Sequence, residues 1–149
     1  MHDAIEYTPI EHLSEGYKET LVLRNAILRV PLGLALSDTD TANEDQQIHI
    51  GAFNQNHLIG CVVIAPVKHE VATFRIRQMA ISETCQGKGI GKSLLMHAEE
   101  VIKNNDGKRI ILDARVIAQG FYESLKYTIT SDEFIHNTIP HITMEKQFT

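Results

Sequence analysis

Gln86-Gly87-Lys88-Gly89-Ile90-Gly91-Lys92, lying between an apolar strand and an amphipathic helix, is the stretch that decides how this chain is read. Three glycines at alternate positions let the backbone curl and leave no Cβ between it and a ligand. The helix behind them opens with unpaired N–H groups and the positive end of its dipole, which together attract phosphate. Lys88 and Lys92 add charge at the same spot. A tight turn without a ligand needs neither three glycines nor two lysines. The residues describe a pyrophosphate cradle.

Two common phosphate loops fail on spacing. A P-loop needs four residues between its first glycine and Gly-Lys-Ser/Thr. Gly91-Lys92-Ser93 imitates the end of one, and Ile110-Ile111-Leu112-Asp113 imitates a metal-binding strand, but the required glycine falls on Gln86. A dinucleotide fingerprint wants G-x-G-x-x-G. Started at Gly87 its third glycine is Lys92, and started at Gly89 it is Leu94.

The pattern that fits is Q/R-x-x-G-x-G/A, as Gln86-x-x-Gly89-x-Gly91, and here the chain resembles the GNAT superfamily of acyl-CoA N-acyltransferases. Further on, Phe121-Tyr122-Glu123-Ser124-Leu125-Lys126-Tyr127 resembles that family's F-Y-E-K-L-G-F segment, with Lys126 standing where glycine is usual. Ile139-Pro140-His141-Ile142-x-Met144-x-Lys146 is similar to the last strand of a small bacterial branch, so the likeness spans most of residues 45–147. The resemblance implies that Gln86, Gly87, Lys88, Gly89, Ile90, Gly91 and Lys92 hold the pyrophosphate of acetyl-CoA. It implies that Met79, Ala80 and Ile81 pair with the pantetheine arm, which suits a sheet edge offering N–H and C=O groups in a row. It also implies that Tyr122 protonates the departing thiolate as general acid. By the same resemblance, residues 17–45 shape the pocket for an amine acceptor. A catalytically silent CoA-binding module on the same fold is the rival reading, and Tyr122 weighs against it.

A base to take the amine's proton is less evident. His141 and Glu83 qualify by chain position, each with a plainer reading as a satisfied sheet residue and a solvated turn residue. The acidic run Asp38, Asp40, Glu44 and Asp45 is either a solvated loop or a lure for a cationic amine. Arg75 and Arg77 alternate on a strand, facing either a groove or solvent. His136 and His141 lack the spacing of a helical zinc pair, so no metal is expected. Cys85 precedes the helix, yet no histidine-bearing motif accompanies it, and it reads as a tolerated thiol.

At 149 residues the chain suffices for one domain, 1–149, with its own core. A net charge of −5 argues against nucleic acid as a partner. No apolar run approaches the ~18 residues of a membrane span, and no leader pattern is visible at the start of the chain. Two unpaired cysteines suit the cytoplasm. A homodimer is the default for a soluble oligomer.

Periodicity supplies the remaining elements. Strands are expected at residues 5–10, 47–53, 58–67, 73–81, 109–112, 127–130 and 141–146, with helices at 17–30, 89–104 and 118–125. In the second helix Ile90, Leu94, Leu95, Ala98, Val101 and Ile102 share one side, while Lys92, Glu99, Glu100 and Lys103 face out. The order β-α-β-β-β-α-β-α-β-β predicts an α/β (α+β mixed) fold, a mostly antiparallel mixed sheet with helices on both faces. The resemblance implies the same order.

Overall fold

The protein is described here by a computed structural model over residues 4–148. Residues 1–3, on which the reading of the chain's start partly rests, lie outside that span. The strands are β1 (Ile5–Ile10), β2 (Ile48–Asn54), β3 (His57–Pro66), β4 (Thr73–Ile81), β5 (Arg109–Arg115), β6 (Thr128–Ile129), β7 (Phe134–His136) and β8 (Ile139–Gln147). The helices are α1 (Glu15–Leu28), α2 (Ile90–Asn104) and α3 (Gln119–Ser124). All strands form one sheet in the order β1-β2-β3-β4-β5-β8-β6, with β7 also paired to β8. Among the described residues, only β4 and β5 run parallel. One strand exceeds the expected order. The β7–β8 hairpin turns on Asn137 and Thr138, both at positive φ, and a three-residue strand is too short to show a period.

Alternation along the strands separates two faces. Ile50, Ala52, Val62, Ile64, Ile76, Ile110, Leu112 and Met144 join Leu94, Leu95, Ala98 and Ile102 of α2 in the apolar core. Glu99, expected to face solvent, is buried there instead, accepting from Tyr127 Oη at 2.8 Å and Lys146 Nζ at 2.9 Å. Helix α1 packs against β2, β3 and β4. Its buried side chains are Tyr17, Thr20 and Arg24, rather than an apolar stripe. Ser14 caps α1 by accepting from Tyr17 N, and the helix ends at Leu28, with Val30 in a following 3-10 turn.

Two features open the sheet. Between β3 and β4, Cys61 faces Ala80 and Val63 faces Arg77, so β4 carries an extra residue. Such a bulge bends its strand, and Gln78 within it takes φ of 51°. On the other side, β4 pairs with β5 only from Thr73↔Arg109 to Arg75↔Ile111. Beyond that point the two strands part, leaving the later half of β4 with a free edge.

Candidate active site

The gap between β4 and β5 is the mouth of a cleft of about 540 Å³. Met79, Ile81 and Gln86 line it at the end near the glycine loop, and Gln86 Nε2 donates to the Ile81 carbonyl at 3.0 Å, tying the loop to β4. Gly87 and Gly89 sit at φ of 78° and 80°, conformations that side chains resist. A Cβ on either would meet nothing within 4 Å, so both face open space. Gly89 is the N-cap of α2 and supplies no side-chain cap. Among the described residues, no protein acceptor takes the N–H groups from Gly87 to Lys92, and neither Lys88 nor Lys92 joins an ion pair. A cluster of free donors beside two free ammonium groups fits a diphosphate.

Tyr122 of α3 lines the same cleft. Its ring meets Tyr127 edge-on with centroids 5.8 Å apart, and its hydroxyl makes no hydrogen bond among the described residues. Burial raises its pKa, so the phenol holds its proton at neutral pH. The turn after it forms although Lys126 replaces glycine, with Lys126 itself taking φ of 77°.

The protein-family comparison matches residues 36–148 to the acetyltransferase (GNAT) domain. The chain belongs to the GNAT family. The Bacillus subtilis (strain 168) protein named "Putative acetyltransferase BSU40680" is 32% identical over 129 residues, covering 84% of this chain and 85% of that protein. Escherichia coli ElaA superposes with a TM-score of 0.85 at 22% identity, over 97% of this chain and 100% of its own. An aminoglycoside 6'-N-acetyltransferase solved with coenzyme A gives a TM-score of 0.72 at 16% identity, over 95% and 96% of the two chains. These likenesses establish the mixed, mostly antiparallel family fold and the class of an acyl-CoA N-acyltransferase.

Within that family frame the expected residues fall in different places. Met79, Ile81, Gln86, Tyr122 and His141 line the cleft. The Ala80 and Ile90 side chains are buried, so only their backbones are available to a ligand. Lys88 on the loop and Lys92 in the first turn of α2 are exposed. Glu83 stands exposed in a 3-10 turn and does not line the cleft. His141 Nδ1 lies 2.7 Å from the Ile139 carbonyl. A carbonyl only accepts, so Nδ1 carries the hydrogen, and in the neutral ring Nε2 keeps its lone pair. Cys85 is half-buried, and burial pushes the Cys61 thiol up to about 12. Among the described residues no group of three His, Cys, Asp or Glu side chains is placed to hold a metal, and no helix is long and apolar enough to cross a membrane.

Two members of the acidic run, Glu44 and Asp40, are taken up by arginines, while Asp38 and Asp45 are exposed. Glu44 is fully buried and accepts from Arg24 Nη1 at 2.9 Å, Arg24 Nη2 at 2.5 Å, Arg77 Nη1 at 2.6 Å and Tyr17 Oη at 2.6 Å. Burial alone would raise its pKa, but the bonds from Arg24, Tyr17 and Arg77 prevail and hold it at about 2. Asp40 accepts from Arg29 Nε at 3.1 Å and Nη2 at 2.8 Å, and those bonds lower its pKa to about 2 against the opposing effect of burial. Arg77 also donates to the Asp40 carbonyl. Arg24 Nε donates to the bulge residue Gln78 at 3.1 Å. Hydropathy hides this network because its members are polar. One signal was available: Thr20 and Arg24 follow Tyr17 at helical spacing on a single face.

Proposed function

We infer that this protein transfers an acetyl group directly from acetyl-CoA to a primary amine in the cleft between β4 and β5, with Tyr122 as general acid. The observation that carries this reading is one continuous path: free loop donors, then an unpaired strand edge, then a phenol with no bonding partner. Gln86 to Lys92 would hold the diphosphate, and the β4 edge at Met79, Ala80 and Ile81 would pair with the pantetheine arm. The neighbour solved with coenzyme A supports that choice of ligand. Bound acetyl-CoA supplies an activated thioester carbonyl. His141 Nε2 accepts a proton from the acceptor's ammonium, freeing the nitrogen to form the new C–N bond. As the C–S bond breaks, Tyr122 Oη gives its proton to the sulfur, which leaves as a thiol, and the second proton shed by the new amide nitrogen restores the phenol. Residues 1–149 act as one catalytic unit, and the two free cysteines suit a cytoplasmic setting.

The test is thiol release from acetyl-CoA across a panel of amines, with mass spectrometry of the protein during turnover. Direct transfer releases CoA in step with acetylated amine and leaves the protein unmodified. An acetylated side chain formed and consumed at the turnover rate would overturn it. His141→Ala should lower kcat/KM most at low pH and least at high pH, where more of the amine is already neutral.

A further inference from the structure

The charged walls of the cleft say what kind of amine it suits. Arg29, Arg75, Arg77 and Arg115 line it, against only Asp40 and Asp113. Both acids are already committed. Asp40 is held by Arg29, and Asp113 accepts from Thr143 Oγ1 at 2.8 Å and pairs with Arg75 at 3.2 Å. Beneath them a single carboxylate, Glu44, serves both Arg24 and Arg77. Arg115 makes no ion pair among the described residues. A polyamine entering here would meet excess positive charge and no free carboxylate. An oxyanion would meet an unpaired guanidinium, whose planar fork suits a carboxylate or phosphate.

The sheet register fixes where that oxyanion lies relative to the chemistry. Arg115 stands directly opposite His141 in the β5–β8 ladder. Directly paired residues hold their Cβ atoms about 4.5–5.5 Å apart on one face. A ligand bridging the pair has its anion and its amine close together. Leu28 and Leu32 line the cleft as well and offer an apolar wall for the rest of it.

We propose that the acceptor carries an oxyanion within a carbon or two of its primary amine, an α-amino acid with an apolar side chain being the simplest fit, and that Arg115 receives the anion. The proposal rests on the transfer reading above and narrows its substrate. The acceptor's amine then faces His141, and the net positive charge of the Arg24–Glu44–Arg77 group adds attraction from the side.

The experiment compares matched acceptors, namely leucine, methionine and phenylalanine against their carboxamides and decarboxylated amines, with an aminoalkyl phosphonate as a second anion. Carboxamides present more neutral amine at a given pH, so chemistry alone favours them and a preference for the acids reads the site. The acids should exceed their amides in kcat/KM by roughly ten- to a hundredfold, the range of a charge-assisted hydrogen bond. Arg115→Gln should collapse that ratio toward one. Phosphonate outrunning the carboxylates would keep the proposal and move the acceptor to a phosphate class. Calorimetry of the same compounds with the CoA-bound protein needs no turnover. Acids that bind in an Arg115-dependent way without being acetylated would sustain the anion site while the transfer reading fails. Amides acetylated as well as acids, or acids and phosphonate that neither react nor bind, would overturn the proposal.

Discussion

Tyr122 and Gly89 show how single residues divide chemistry from binding. Tyr122→Phe removes a hydroxyl that bonds to no neighbour among the described residues and leaves the ring against Tyr127, so packing and CoA affinity should hardly move. If the hydroxyl protonates the leaving sulfur, kcat should fall by roughly 10²–10⁴, with CoA affinity measured alongside to separate the two effects. A Phe variant with normal turnover would return the residue to the core. Gly89→Val acts the other way. It forces a β-branched residue to φ of 80° and puts its side chain in the open space where a diphosphate would approach. CoA affinity should drop at least tenfold, in a protein whose core is untouched. Unchanged affinity, measured by calorimetry, would put the diphosphate elsewhere.

At the scale of elements, the opening of the sheet depends on a polar contact chain that crosses three of them. Helix α1 sends Arg24 down to Glu44 and to the bulge residue Gln78, and β4 returns Arg77 to the same carboxylate. Glu44→Gln would leave Arg24, fully buried, without its counter-charge. Breaking a buried pair from one side costs roughly 3–5 kcal/mol, and a urea titration should show that loss. The pH dependence has a definite sign. Glu44 has its pKa depressed from 4.5 to about 2, so its contribution is complete above the unfolded value and disappears as pH falls through the folded one. Stability of the native protein should therefore decline between about pH 4.5 and pH 2, and the Gln variant should decline less across that window. These elements were legible in unequal measure. Strand 73–81 and the glycine loop were plain because period and spacing act locally. The buried face of α1 was not, since Arg24 owes its burial to Glu44, twenty residues away, and no local pattern shows such a partner. Glu99 escaped for the same reason, its partners arriving from far along the chain, Tyr127 just before β6 and Lys146 in β8. The cleft itself arises where β4 and β5 stop pairing, a property of register that a linear reading does not contain.

Over the whole molecule, the cleft separates a β1-to-β4 half of the sheet from the β5-to-β8 half, joined at that seam by only three residue pairs. Both halves retain their own pairing, but along the seam the sheet has lost the backbone bonds that an uninterrupted ladder would supply. A ligand whose arm pairs with the free edge of β4 and whose diphosphate sits on the α2 loop would supply part of what is missing. It would do so only in the folded state, because the loop donors and the strand edge converge nowhere in the unfolded chain. Mass action then fixes the size of the effect. At a hundred times its Kd, such a ligand adds about 2.7 kcal/mol, which for a chain of this length corresponds to a rise in Tm of about 5–11 °C. Acetyl-CoA and CoA should both reach that range in a thermal melt, and Gly89→Val should abolish the rise at the same concentration. ATP and NAD offer phosphates to the loop but no pantetheine for the β4 edge, so at equal concentration they should shift Tm by less than half as much. A larger shift with either nucleotide than with CoA would mean that the loop alone selects the ligand, and the free edge of β4 would then need another occupant.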